Sequence, residues 1–367
     1  MKSLSALDIH YLIQELQFLV NSKVDKIYSP RKKEVILQLF VSGKGKYSLR
    51  IDEHSIYLHD YKPMAEVPSE LCMFFRKKLA NARLWKIQLL GFDRIFSLDF
   101  ETKSGEVSLV AELFSKGNII LLKDNKILVA SEYQNWKDRT IRPKGEYQYP
   151  AKDYNFLELK ISDFRKLLSE TNKENLVKCL AIELGLGGVY AEESCLVAGI
   201  DKEKKAKELT EDEIKKLFSA LEGLKEKEID PRIVYKNKEV FDLVPFALKL
   251  YSSFKQEKAK SYNGIVDDYF SKGDLIKQNE KYFQKTRQVE LIIKKQREDI
   301  KKLEKQEKEN NEKGESLYTH YQLVSDTLKE LKAISEKHSW KEIKEKLKGH
   351  KLIKEVNGSD KSVVVEI

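Results

Sequence analysis

Asp93 and Arg94, within "GFDRIFSLDF" (residues 91–100), set an acid beside a permanent cation at the start of an apolar run. An arginine meets phosphate or a base edge through two parallel N–H donors. An aspartate repels phosphate but accepts from base amino groups and 2′-hydroxyls. The pair therefore suits discrimination among nucleic-acid partners better than simple adhesion. The competing reading is an ion pair inside the fold, with Arg94 meeting a buried carboxylate such as Asp8. Neighbours on a regular strand point to opposite faces, and Arg94 shares the parity of Phe96 and Leu98, the expected core face. By spacing alone the ion pair is preferred.

Three further stretches carry chemistry. "RTIRPKGEY" (139–147) offers Arg139, Arg142 and Lys144 with Tyr147 close by, a basic loop with an aromatic that suits RNA as well as it suits a solvated connector. "FSKGN" (114–118) sets Lys116 in a tight turn between two strands. "ELGLGGVYAEES" (183–194) has the apolar-Gly-apolar-Gly-x-x-x-Ala order of a helix-hairpin-helix turn, at Gly185, Gly187, Gly188 and Ala191. Glycines there let the backbone approach phosphate, and the next helix presents unpaired N–H groups. Glu192 and Glu193 stand where a phosphate binder has Lys or Arg, and read as helix caps. Asp8 and Asp93 as paired catalytic carboxylates lack any accompanying His or Glu cluster. No nucleophile elbow, phosphate-binding Gly-rich loop with Lys-Ser/Thr, or zinc-deaminase pattern occurs. No metal or cofactor is expected.

The elements that must position these residues divide the chain. It has 367 residues, 41% hydrophobic and 35% charged, enough for two or three domains and a long solvated helical element. The net charge of +9, from 68 basic and 59 acidic residues, fits a phosphate-rich partner without making the whole surface basic. Cys72, Cys179 and Cys195 are too few and too scattered for a disulfide framework. No N-terminal signal pattern and no membrane-length apolar run is present, so a cytoplasmic protein is expected.

"SALDIHYLIQELQFLV" reads as an amphipathic helix with Ser5 as N-cap and Asp8 completing a capping box. Four short strands follow between Val24 and Asp60, a helix from Pro68 onward through "ARLWKIQLL", and four more strands up to Tyr133. The first part is thus α+β and mostly antiparallel. Residues 161–225 read as helical and inserted, and 226–265 as a return segment packing on the first domain (1–160). Residues 266–348 read as an antiparallel coiled-coil hairpin. Its seams are Val289, Ile293, Ile300 and Leu303, then Leu317, Tyr321, Val324, Leu328 and Leu331, and its turn is the polar stretch 304–315. Residues 349–367 end in a β-like segment with nothing to pair with downstream, the expected start of a missing C-terminal domain.

Taken together, "SALDIHYLIQEL", "VDKIYSP", "GFDRIFSLDF", "ELFSKGNIILL", "RTIRPKGEYQYP", "LGLGGVYAEESCLVAGID", "DYF" and "GESLYTHYQLV" resemble the NFACT family, which includes NEMF, Caliban and bacterial RqcH. The phrasing is most similar to archaeal and eukaryotic members. The resemblance implies an NFACT-N domain similar to the N-terminal domain of formamidopyrimidine-DNA glycosylases, an inserted helix-hairpin-helix domain, and a coiled-coil middle domain. It implies a cytoplasmic, non-catalytic factor of ribosome-associated quality control. Such factors bind large ribosomal subunits that still carry peptidyl-tRNA, with the coiled coil reaching the stalk base, and recruit tRNA for C-terminal tailing; eukaryotic relatives also work with a ubiquitin ligase. By the same resemblance, Asp8, Asp93 and Arg94 engage tRNA.

The chain departs from the family where relatives have Arg and it has Lys116, and it is expected to lack the NFACT-R domain. The rivals are a DNA glycosylase or lyase, which the Met-Lys-Ser start opposes, and a fibronectin-binding adhesin, which the lack of a secretion signal opposes.

Overall fold

A computed structural model describes residues 2–60, 67–114, 116–136, 139–150 and 152–366, with only the backbone at 274–283 and 285. Tyr61, the end of the fourth expected strand, lies outside them. The chain divides into two units at Leu275/Ile276.

The first unit opens with α1 (Ala6–Leu16), whose Ser5/Asp8 capping box forms as the sequence predicts. Then come β1 (Lys23–Tyr28), β2 (Val35–Val41), β3 (Gly45–Ile51) and β4 (Ile56–Leu58). A second helix, α2 (Glu70–Leu79), leads into β5 (Arg83–Leu89), β6 (Ile95–Thr102), β7 (Gly105–Glu112), β8 (Asn118–Lys123) and β9 (Lys126–Ala130). The expected helix is thus too long. It stops at Leu79 because Asn81 takes φ 57°, and "RLWKIQL" leaves as a strand.

The nine strands form one antiparallel sheet in the order β4-β3-β2-β1-β5-β6-β7-β8-β9. Each half is a helix followed by a meander, and the halves meet where Lys23 pairs with Arg83. Asn21 (φ 74°) and Asn81 (φ 57°) make equivalent entries into β1 and β5, each of which carries an irregularity two residues into its ladder, at Val24/Lys26 and Leu84/Lys86.

The main core packs Leu7, Tyr11, Leu12 and Leu16 of α1 against Leu37, Leu39, Leu84, Phe96, Leu98 and Phe100. The alternation seen in β6 does not mean a wet face: Ser97 and Asp99 are buried too. A second cluster of Ile95, Val110, Ile120, Ile127, Ile141 and Tyr147 covers the other side. Asp99 accepts from Gln88 Nε2 at 3.0 Å and Ser97 Oγ at 3.3 Å, so its burial is not uncompensated.

Two short strands, β10 (Gln134–Asn135) and β11 (Thr140–Ile141), precede four helices: α3 (Ile161–Glu170), α4 (Leu176–Ile182), α5 (Gly187–Ala198) and α6 (Glu211–Lys225). The chain then returns to strand as β12 (Arg232–Lys236), β13 (Glu239–Val244) and β14 (Lys255–Lys258), a small antiparallel sheet. Tyr11 OH donates to Leu224 O at 2.7 Å and stacks edge-on with Phe246, tying α1 to the end of α6 and to the residues after β13. Cys72, Cys179 and Cys195 are buried free thiols.

The long helix α7 (Tyr262–Thr319) passes from the first unit into the second. There α8 (Tyr321–Ser335), α9 (Trp340–Lys346), β15 (Ile353–Asn357) and β16 (Ser362–Val365) follow. The polar stretch 304–315 is not a turn. It continues α7, because Lys, Glu and Gln are good helix formers, Lys305 and Glu309 pair at 3.7 Å, and a lone Gly314 costs only about 1 kcal/mol. The break falls later, at His320, with φ −109° and ψ 28°. Seam residues Val289, Ile293, Ile300, Leu303, Leu317, Tyr321 and Leu328 are exposed rather than packed on each other. The terminal β-like segment pairs with residues just before it, as the β15–β16 hairpin, over a small core of Leu331, Ile343, Ile353 and Val356. Among the described residues no helix is long and apolar enough to cross a membrane.

Candidate RNA-binding cleft

Asp93 and Arg94 are not on the strand. They sit in the bend 91–94 between β5 and β6, so strand parity does not apply to them. Gly91 turns the chain at φ 62°, and buried Phe92 anchors the bend against Phe156, 4.7 Å between ring centroids. Asp93 Oδ1 accepts from the Arg94 amide at 2.7 Å and lies 3.3 Å from Lys152 Nζ. Its Oδ2 accepts no hydrogen bond among the described residues. The Arg94 guanidinium donates once, to Ser3 Oγ at 3.1 Å, and has no carboxylate partner among the described residues. The expected ion pair with Asp8 is therefore not formed.

Asp8 is buried rather than displayed. Oδ2 closes the capping box, accepting from Ser5 N and Ser5 Oγ, each at 2.9 Å. Oδ1 accepts from Tyr190 OH of α5 and Tyr262 OH of α7, each at 2.6 Å. Lys2 Nζ stands 3.6 Å from Oδ2 and 2.7 Å from Asp242 Oδ1, and also donates to Leu243 O. Asp242 in turn accepts from Tyr251 OH at 2.7 Å. Burial first, and the Asp8 charge second, push both the Tyr190 and Tyr262 phenols well above their ordinary range, so they remain donors.

The hairpin turn lies against this floor. Gly185 and Gly187 take φ 73° and 74°, and α5 begins at Gly187 with Leu186 as an N-cap that provides no side-chain acceptor. Leu186 and Ala191 are buried, as the helix-hairpin-helix pattern predicts. Glu192 and Glu193 lie too far into α5 to cap it. Glu192 pairs with Lys202 at 3.3 Å. Buried Glu193 accepts from the amides of Lys249 and Leu250 at 2.9 and 2.8 Å, fastening α5 to the return segment.

Asp8, Asp93, Arg94 and the turn glycines together line a cleft of about 410 Å³, with Lys2, Ser3, Lys152 and Asp242. Its wall combines a cation with most of its N–H donors unused, a carboxylate with one open oxygen, and an uncapped helix N-terminus. That set matches a phosphate with an adjacent polar base or sugar. Lys2, Lys152, Tyr190, Tyr262 and Asp242 were not marked as site residues by the sequence. Only Tyr190 had a nearby signal, since it falls inside the glycine turn motif.

The remaining expected contacts lie elsewhere. Arg139 is committed to buried Glu112, 2.8 Å from Oε2, and packs 4.8 Å over Trp136. Tyr147 is buried and donates to Glu112 Oε1 at 2.8 Å. Both serve the fold, because a buried carboxylate needs donors. Arg142 and Lys144 are exposed on the loop after β11, and Lys116 is exposed at the β7–β8 turn, where its carbonyl accepts from Lys33 Nζ at 2.6 Å. Among the described residues no His, Cys, Asp and Glu cluster could hold a metal ion.

The sequence matches the model of the NFACT N-terminal and middle domains over residues 5–357. It is 33% identical to the archaeal Rqc2 homolog aRqcH of Methanocaldococcus jannaschii, an alignment covering 100% of this chain and 58% of that protein. It is 23% identical to the ribosome quality control complex subunit NEMF of Homo sapiens, over 92% of this chain and 35% of that protein. Among solved structures, the N-terminal part of the fibronectin/fibrinogen-binding protein from Streptococcus suis superposes with a TM-score of 0.58 at 22% identity, over 74% of this chain and 100% of that one. The fibrinogen binding protein from Staphylococcus aureus gives 0.59 at 18%, over 72% and 98%. At such identities these structures share the fold. The chain spans little more than half the length of the archaeal relative.

Proposed function

The chain belongs to the NFACT family, and from that membership together with the cleft we propose that it is an RNA-binding adaptor of ribosome-associated quality control. It binds large ribosomal subunits that still hold peptidyl-tRNA and engages a tRNA through Asp93 and Arg94. Peptide-bond chemistry in tail growth is left to the ribosome. The helical second unit provides contact with the subunit near its stalk base, and Arg142, Lys144 and Lys116 add phosphate contacts.

The observation that carries this reading is Arg94: a partly exposed arginine in a cleft, without a carboxylate partner among the described residues, beside an aspartate whose Oδ2 is open. A structural ion pair has no reason to leave the guanidinium without a carboxylate. Asp8 supports the cleft from beneath, through Tyr190 and Tyr262, rather than touching RNA.

The test is recovery and sequencing of RNA that co-purifies with the protein. Asp93→Ala with Arg94→Ala should abolish tRNA recovery at unchanged thermal stability. A collapse of stability in that double variant would return the pair to a structural role.

A further inference from the structure

We propose that Lys152 is a positioning residue for tRNA engagement: it holds Asp93 away from Arg94 and locks the 91–94 bend to the hairpin turn. The proposal rests on the tRNA reading above and adds a residue to it.

Lys152 Nζ lies 3.3 Å from Asp93 Oδ1 and donates to Phe92 O at 3.2 Å, both in the bend. The same ammonium sits under the turn before α5. A Cβ on Gly185 would lie 2.5 Å from Lys152 Nζ and 3.0 Å from Phe92 O. Lys152 thus touches the two segments that bring Asp93, Arg94 and the α5 N-terminus into one cleft. The side chains of Lys152 and Asp93 are 28% and 20% exposed, which shields their pairing from solvent more than on an open surface.

One consequence follows from charge. Asp93 and Arg94 are sequence neighbours, and an aspartate released from Lys152 can turn toward the guanidinium and neutralise it. Lys152 therefore keeps Arg94 available without itself touching the RNA.

The experiment measures binding of the purified protein to bulk tRNA across a salt series, for wild type, Lys152→Met, Lys152→Gln, Asp93→Asn, Arg94→Ala and each Lys152 variant combined with Asp93→Asn. Loss of the Lys152 charge should weaken binding about fivefold to tenfold, with an unchanged slope of log affinity against log salt. It should add no further loss in the Asp93→Asn background, where there is no charge to hold. Lys152→Gln keeps an N–H donor for Phe92 O and guards against a folding failure of Lys152→Met, and the comparison within the Asp93→Asn background corrects for any shared loss of stability.

Full affinity in both Lys152 variants overturns the proposal. So does a slope lowered by about one, the mark of a direct phosphate contact, or an undiminished loss in the Asp93→Asn background. Arg94→Ala separates the two claims. If it binds tRNA as wild type does, the tRNA reading itself fails; if it weakens binding while the Lys152 variants do not, only the role of Lys152 fails.

Discussion

The hydroxyl of Tyr262 donates to Oδ1 of Asp8 across 2.6 Å, joining residues 254 positions apart. With Tyr190 on the same oxygen, Asp8 fastens α1, α5 and the start of α7 at one buried point. Asp8→Ala strips the partner from two buried hydroxyls and from the cap of α1. It should cost about 3–5 kcal/mol, while Tyr262→Phe should cost about 1 kcal/mol. Urea denaturation checks both. RNA binding lost in Asp8→Ala is then expected to accompany lost stability, unlike binding lost at Arg94.

Alkaline pH should weaken this junction. The Tyr190 and Tyr262 phenols are raised by burial and by Asp8, and Tyr11 is pushed up to about 12 by burial. In the unfolded chain these groups ionise near pH 10, so above that pH the unfolded state holds fewer protons than the native state and stability falls. Their contribution is complete below pH 10 and is lost as pH rises, through about 12 for Tyr11. Thermal melts at pH 8 to 11, alongside phenolate absorbance, should show tyrosines that ionise only on unfolding. Melting temperatures that stay flat above pH 10 would contradict it.

Arg94→Ala removes one hydrogen bond, to Ser3, and no ion pair. Stability should change by less than about 0.5 kcal/mol, while tRNA binding falls. Arg94→Lys keeps the charge but not the paired donors, and should recover only part of the binding. Filter binding and calorimetry on the same preparations compare the two effects.

Two neighbouring glycines should respond in opposite ways. Gly185→Ala meets a φ of +73° and the 2.5 Å approach to Lys152, and should destabilise the first unit by about 1–3 kcal/mol. Gly188 is helical with open space at its Cβ position, so Gly188→Ala should be neutral or stabilise by up to about 1 kcal/mol. Chemical denaturation of both variants distinguishes a turn that needs glycine from one that merely contains it.

Gly314→Ala tests the continuity of α7. Within a helix and with open space around it, the new methyl should raise helix stability by about 1 kcal/mol and increase far-UV helicity. A loss of helicity would instead restore a turn at 304–315.

Much of the fold was readable because it rests on local rules. The Ser5–Asp8 capping box, the alternation in β2, β6 and β7, and the glycines of the hairpin turn each act within a few residues of sequence. Sequence and structure part where a local signal is weak against its surroundings. The strand "RLWKIQL" continues the apolar pattern of the preceding helix, although Asn81 marks the break. The polar stretch 304–315 resembles a turn by composition, with Asn310, Asn311 and Gly314, but none of these takes the positive φ that stops a helix.

The sequence by itself determined which residues could meet RNA and which elements carry them, since charge, hydrogen-bonding type and periodicity are properties of the residues. It also supplied the family resemblance that the comparisons then supported. Only the tertiary structure decided which of those residues remain available. Asp8 is consumed by Tyr190 and Tyr262, and Arg139 by Glu112, whereas Arg94 keeps its donors because Lys152 holds the neighbouring acid. Burial and pairing depend on partners from 27 to 254 residues away. No local pattern encodes them, because each is set by where separate elements meet in the packed core.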